Sequence, residues 1–469
     1  MSDDGVSPAN GGTRSTPEAD AAPRWSAVVV ACVGAFVTAL STTLVAVAAP
    51  SIARDLQVSQ ADVGWVLSAY LLAVSCLLAG VGRLADVVGR KRVYLTGFVL
   101  FGAASVACGV APTLPTLIAA RIVQGLGATA LMATGPAIIT RAFPARLRAR
   151  GLGLQLAATY TGLTLGPTIG GALTSAFGWH AVFFAVAGAA AIGTLVAAGL
   201  LEPDAGSGSG TGTGTDTGTR EAPPLDLAGS ALFAVGLGAM LLALRRGGSV
   251  AGLVGLGVIS VGAFVLFVRH EARHPAPVLP LSLLRTPAFA FGVVGAMLLY
   301  LVAFVLSWLL PFHLQHDRGM NASHAGALMS AQPATMALVA PASGWITDRF
   351  GPRLPSVAGM LAMAAGLGLV AHEASSSDAR LVVALAIVGV GAGLFVAPNN
   401  SVIMSAAPRD RQGTAAAMAA TARNVGMTCG VALAVALYDV MGFTRSLGVA
   451  AGIAALGAVL GAVRPVKAS

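Results

Sequence analysis

Long apolar runs separated by short polar segments set the pattern of this chain. A run of about 20 apolar residues is enough to cross the hydrocarbon core of a bilayer. Such runs lie at 26–49, 62–81, 93–111, 114–136, 151–175 and 180–201, then at 227–244, 250–268, 287–312, 323–346, 354–372, 379–403, 413–437 and 443–463. They predict an all-α integral membrane protein with 14 transmembrane helices, of which the seventh and eighth are short and Gly-rich. Ala46-Val47-Ala48 imitates a signal-peptide cleavage site. The run before it is longer than the roughly 7–15 apolar residues of a signal sequence, so it reads as a retained first span. Residues 1–25 form a polar tail expected to be disordered, and residues 202–225, with GSGSGTGTGTDTGT, a flexible linker.

The segment from Gly82 to Val93, GRLADVVGRKRV, sits between two runs and concentrates charge there. Its skeleton returns as Gly344-x-x-x-Asp348-x-x-Gly351-x-Arg353, 262 residues later (344 − 82). A second landmark, Pro144 to Gly151, recurs loosely as Pro408 to Gly413 at an offset of 264 (408 − 144). Corresponding loops in two halves of a membrane chain are the mark of a transporter built from related bundles. The division expected is a six-helix bundle at 26–201, two inserted helices with their loop at 226–286, and a second six-helix bundle at 287–463.

Composition agrees and removes other classes. The 469 residues are 56% hydrophobic and 10% charged, too little charge to cover a soluble domain of that size. The net charge of +9 lies in short clusters between spans, with no soluble basic domain to hold a nucleic acid. Of the 28 Lys and Arg, 20 fall on the side of the N-terminus, six on the other, and Arg121 and Arg423 within spans. The positive-inside rule then places both termini, and the Gly82–Val93 loop, in the cytoplasm, and the protein in the cell (inner) membrane. The four cysteines lie inside apolar runs as small packing residues. No metal-ligand spacing, nucleophile–base pair or phosphate loop stands out, so neither a metal, a cofactor nor an enzyme is expected.

In the charged loop, Gly82 and Gly89 allow close approach and a tight turn, Asp86 offers a carboxylate, and Arg90, Lys91 and Arg92 anchor the cytoplasmic end. Span 4 holds Arg121 about two turns inside the membrane, beside Gln124-Gly125. Such a base costs several kcal/mol there unless partnered, or else it snorkels to the interface. Span 5 reads Gly162-x-x-x-Gly166-Pro167-x-x-Gly170-Gly171. Its glycines admit a neighbouring helix and its proline bends the span. Polar and aromatic residues within spans offer a midplane path: Ser41, Tyr70, Gln124, Gln155, Tyr160, Tyr300, Trp308, Gln332, Asn399, Asn400 and Asn424. Each could equally serve an interhelical hydrogen bond.

These motifs resemble the major facilitator superfamily. Its signature loop, G-x-L-A-D-R-x-G-R-K, is matched at Gly82, Leu84, Ala85, Asp86, Gly89, Arg90 and Lys91, with Val87 in place of the usual arginine. The span-5 pattern is similar to the antiporter motif of that superfamily. The fourteen-span count resembles its drug:proton antiporter branch, as do Trp65-x-x-x-x-Tyr70, Trp179-x-x-x-Phe183, Asp226-x-x-Gly229, Pro398-Asn399-Asn400 and Arg423-Asn424-x-Gly426. The resemblance implies the major facilitator fold, with Asp86 and its neighbours, and Asp348 and Gly351 in the second copy, latching the halves at the cytoplasmic face. It also implies a proton-coupling role for Arg121. The aspartate usual in span 1 of that branch is replaced by Ser41. Asp62 is a further coupling candidate, although its position three residues after Ser59 is that of a helix cap. His313, at the outer end of span 9, titrates in the right range but suits an interfacial place.

The function expected is multidrug or antibiotic efflux: export of an amphipathic organic compound by alternating access, with protons as the coupling ion. The protein is expected to act as a monomer in the lipid bilayer. An uptake symporter or facilitator of the same fold is the alternative, and a polytopic enzyme or non-transporting sensor a remote one.

Overall fold

A computed structural model describes residues 24–144, 147–201, 226–245, 250–274, 279–373, 376–408 and 411–463. The predicted N-terminal tail up to residue 23, the linker at 202–225 and Arg246 lie outside them. All the regular structure described is helical: α1 (Trp25–Asp55), α2 (Gln60–Val88), α3 (Arg90–Gly109), α4 (Leu114–Ala142), α5 (Arg148–Phe177), α6 (His180–Leu200), α7 (Leu227–Arg245), α8 (Val250–Glu271), α9 (Pro287–Phe312), α10 (Ala322–Met329), α11 (Ala331–Phe350), α12 (Arg353–Glu373), α13 (Asp378–Ala406) and α14 (Gln412–Val463), with a 3₁₀ turn at Leu281–Arg285 and a π turn at His313–Asp317. Nothing but helix can satisfy a single chain's backbone polar groups in lipid without closing a barrel.

Ten of these helices are long and apolar enough, by length and composition, to cross a membrane. The fourteen helices and the fourteen runs of the sequence differ in their divisions at two places. α10 and α11 continue one another across Ser330, whose N–H still bonds the Gly326 carbonyl. α14 folds back at Gly442, where φ is 73° and ψ −178°, and so makes two passes. Helix starts carry local signals: Ser59 accepts from the Asp62 N–H, Asn321 from the His324 N–H, and Thr113 and Thr116 form a capping box.

The helices pack in two sets. α1 lies against α4, α5 and α6, and α3 against α4 and α6; in the other set α9 lies on α13 and α14, and α12 on α13 and α14. α7 and α8 pair with each other, and α7 touches both α2 and α14. Asp226, at the foot of α7, is buried, which works against its charge. The Gly229 N–H and the neighbouring His270 and His274 nonetheless hold its carboxyl below the usual range.

Backbone conformation repeats with the sequence. Gly89 breaks α2 from α3 with φ 109°, and Gly351, 262 residues on (351 − 89), breaks α11 from α12 with φ 75°. A further pair that the motifs did not reveal is Gly178, between α5 and α6, and Gly442, at φ 80° and 73°, 264 residues apart (442 − 178). The bases two residues after these glycines also act alike. Lys91, in the first turn of α3, donates to the carbonyl of Leu201 at the end of α6. Arg353, opening α12, donates to that of Ala462 in the last turn of α14. In both halves a cation therefore sits at the negative end of the final helix.

A Cβ at Gly178 or Gly442 would meet no atom within 4 Å, so only backbone conformation resists substitution there. Gly178→Ala and Gly442→Ala should each cost about 1–3 kcal/mol, because positive φ with ψ near 180° is a region essentially confined to glycine. Gly188→Ala, on an uncrowded helical site of α6, should be neutral or slightly stabilising. Thermal unfolding in detergent checks this, and equal midpoints for Gly178→Ala and Gly188→Ala would contradict it.

Candidate functional site

The side of the membrane on which Arg24 and Val463 lie is called here the terminal side, the other the distal side. On the distal side α5 is held between two partners through its glycines. Gly162, Gly166 and Gly170 face α1: a Cβ on Gly162 would come within 2.6 Å of the Phe36 carbonyl, one on Gly170 within 3.0 Å of the Leu44 Cα, and one on Gly166 would overlap Thr43. Gly171 faces the second set of helices, where a Cβ would overlap the Ala322 carbonyl of α10. Reciprocally, a Cβ on Gly326 of α10 would overlap the Pro167 carbonyl. Polar contacts fasten the same seam. Thr168 and Ser330 hydroxyls are 2.7 Å apart, the Ser323 N–H donates to Ser175 at 2.9 Å, and Gln315 Nε2 donates to the Val47 carbonyl at 2.9 Å.

Arg121 is wholly buried in α4, two turns from its distal end. Nε donates to the Val66 carbonyl of α2 at 2.9 Å, and Nη1 to Gln124 Oε1. Gln124 Nε2 passes the chain on to Ser105 Oγ at 2.6 Å, and Ser105 to the Phe101 carbonyl at 2.6 Å. The guanidinium carbon stands 4.3 Å above the Tyr70 ring. A cation thus ties α2, α3 and α4 together entirely through neutral groups, a carbonyl, an amide and a π face. Its Nη2 finds no protein partner. Asp62 lies apart as an exposed cap residue, its Oδ2 accepting from Ser59 at 2.6 Å.

On the terminal side, Asp86 is paired within its own loop. Arg90 Nη2 donates to Asp86 Oδ1 at 2.9 Å and Arg90 Nη1 to the Ala137 carbonyl of α4 at 3.1 Å. The Asp86 side chain is 61% exposed, and Asp348 in the second copy is exposed as well. Gly82 would accept a Cβ with only Ala133 nearby, at 4.0 Å. The halves meet along the distal seam and at α2 with α14, and the two charged loops are not brought together.

The sequence model of the Major Facilitator Superfamily matches residues 31–309 and 292–468. The chain belongs to the major facilitator superfamily. It is 30% identical over 410 residues to the riboflavin transporter RibZ of Clostridioides difficile, covering 87% of each chain. It is also 30% identical to the tetracenomycin C resistance and export protein of Streptomyces glaucescens, covering 87% of this chain and 75% of that one. Among solved structures, a POT family transporter in complex with a thioalcohol-conjugated peptide matches with a TM-score of 0.70 at 15% identity, over 92% of this chain and 94% of that one.

Within this superfamily fold the path candidates separate. Ser41 of α1, Tyr160 of α5 and Trp308 of α9 each bury a polar atom that no protein group satisfies, and so does Thr421 of α14, which the sequence did not single out. Arg423, half-buried on α14, lies within electrostatic reach of Tyr160 and Tyr300 and forms no ion pair among the described residues. Its sequence signal is an arginine within a span. The remaining candidates serve packing as much as any path. Asn399 Nδ2 donates to the Gly292 carbonyl at 2.9 Å, the Asn424 carbonyl accepts from Thr428, and Gln155 fills the space beside Gly135. Tyr70 lies under Arg121, Gln332 presents its carbonyl to Gly389, and Asn400 is half-buried. His313 is stacked on Phe443 at 4.1 Å and hydrogen-bonded to Asp317 at 2.7 Å. Two open grooves of about 490 and 500 Å³ contain none of these residues. Their walls, such as Trp65, Leu72, Ile118 and Leu126 in one and Trp25, Val29, Phe36 and Leu154 in the other, are apolar and suit acyl chains.

An ammonium cannot reproduce the fork that reaches Val66 and Gln124 while covering Tyr70. Arg121→Lys should therefore lower stability by roughly 1–3 kcal/mol, nearly as much as Arg121→Gln. Thermal unfolding of the two purified variants measures it; wild-type stability in Arg121→Lys would mean that charge alone matters.

Proposed function

We propose that the protein exports an amphipathic organic compound from the cytoplasm in exchange for protons, by alternating access between its two helix sets. The terminal side is the cytoplasmic one, following the excess of Lys and Arg there. The observation that carries the reading is the glycine seam of α5. One helix uses Gly162, Gly166 and Gly170 against its own set and Gly171 against α10 of the other. A seam made by close backbone approach can part and reclose with only a few side-chain hydrogen bonds to break, as a distal gate must. The resistance and export function in the name of the Streptomyces glaucescens relative supports the outward direction.

On this reading the closed distal seam belongs to the state that admits substrate from the cytoplasm. Asp86 is then free of the other half and rests on Arg90; when the terminal side closes, it becomes the group that latches onto the second half. The Arg121 network is the coupling element. Its cation is held without a counter-charge, so a proton or an anionic group arriving nearby changes its energy strongly.

A second reading, uptake symport or facilitation, is favoured by one observation. The buried acids among the described residues, Asp226 and Glu271, lie at the terminal ends of α7 and α8, away from the middle of the spans. Everted membrane vesicles separate the two. Energised vesicles should accumulate a fluorescent organic cation, and an uncoupler should release it. Lack of accumulation, or accumulation that ignores the uncoupler, would refute proton-driven export. Asp86→Asn should slow transport about tenfold, a change of about 1.4 kcal/mol in the limiting step, with membrane insertion intact. Unaltered transport by that variant would remove the latch.

A further inference from the structure

Spacing in the sequence offers no metal-ligand cluster, because Asp226 is separated from the two histidines by the whole α7–α8 hairpin. The fold brings them together. Asp226 caps α7, with Oδ1 accepting the Gly229 N–H at 2.7 Å. At the end of α8, His270 and His274 stand one turn apart, the His274 N–H bonding the His270 carbonyl at 2.9 Å. Their rings lie 5.2 Å apart with 33° between the planes. His270 Nε2 is 2.7 Å from Asp226 Oδ1, and His274 Nδ1 is 3.9 Å from Asp226 Oδ2. One ligand atom from each residue can be chosen so that all lie within 4.8 Å of one another.

The carboxylate carries the decisive observation. The Asp226 side chain is 1% exposed, yet among the described residues Oδ2, the oxygen turned toward His274, has no hydrogen-bond partner. A buried carboxylate oxygen left without a donor is costly, and helix capping by Oδ1 does not explain it. The position opposite keeps that oxygen in place. A Cβ on Gly229 would come within 2.5 Å of Oδ2, so the glycine preserves the space the oxygen occupies.

We propose that Asp226, His270 and His274 form a binding site for a divalent transition cation of the zinc class, fastening the start of α7 to the end of α8. Two imidazoles and one carboxylate are a borderline donor set, suited to Zn²⁺, Co²⁺ or Ni²⁺. Calcium and magnesium ask for more oxygens than one aspartate supplies. Ligand bonds of about 2.0–2.2 Å in a tetrahedron put donor atoms roughly 3.3 Å apart. The separations observed, 2.7 Å from His270 to Oδ1 and 3.9 Å from His274 to Oδ2, lie on either side of that value. The fourth position is left to water or an exogenous ligand. Glu271, the nearby acid on α8, is engaged elsewhere, its Oε2 accepting the Leu279 N–H at 3.2 Å. Because α7 touches both α2 and α14, a cation here would stiffen the inserted pair against both halves of the transporter.

The test uses the full chain, purified in detergent, freed of any histidine tag and stripped with chelator. Co²⁺ titration followed by visible absorption should show one tetrahedral site per chain, displaced by Zn²⁺, and Zn²⁺ should raise the unfolding midpoint. His274→Ala and His270→Ala should each weaken binding about tenfold or more, as loss of a ligand does. His372→Ala, at the distal end of α12, should leave it unchanged. Absence of Co²⁺ bands in the wild-type protein would overturn the proposal whatever the variants do. Bands that persist in a folded His270→Ala/His274→Ala double variant would overturn it too. Because the readout is metal binding, it does not depend on the direction or coupling of transport.

Discussion

Two helices in a bilayer gain little by hiding leucine from lipid, since the lipid is as apolar as the leucine. What holds them is the close approach of backbones, which small residues permit. The architecture depends on this constraint most visibly at α5. Its glycines let it lie against α1 along one face and against α10 along another, so a single helix belongs to its own set and also closes the distal seam. The neighbouring hydroxyl and amide contacts, Thr168 with Ser330 and Gln315 with the Val47 carbonyl, then fix the register of a contact that backbone proximity has already made.

Charge is used differently on the two sides. Within the membrane the Arg121 cation is buried and matched to neutral acceptors, Val66, Gln124 and the face of Tyr70. On the terminal side cations cap helices. Lys91 closes the end of α6 and Arg353 the end of α14, so bases that look like topology signals also satisfy carbonyls that lipid cannot. Arg90, held by Asp86 and the Ala137 carbonyl, belongs to the same bracing of one half.

The inserted pair α7 and α8 obeys a third rule. Its helices are short and carry exposed apolar faces, with Val254, Val258, Ile259 and Leu266 outward. Polar order is concentrated at the terminal ends, where Asp226, His270, His274 and Glu271 meet. A hairpin with few buried contacts of its own is therefore tied at its foot.

The sequence alone determined the spans, their number and the internal repeat, because crossing hydrocarbon is a local demand on about 20 consecutive residues. It also placed the α5 glycines and Arg121, both anomalies within apolar runs. The tertiary structure decided which groups meet. That Gly171 faces α10, that Lys91 reaches Leu201, and that Asp226 receives two histidines from the far end of a hairpin all depend on how each helix is rotated about its axis. So does the position of Arg423 near Tyr160 and Tyr300. Rotation is set by packing against helices distant in sequence, and an apolar run that is hydrophobic on every side carries no record of it.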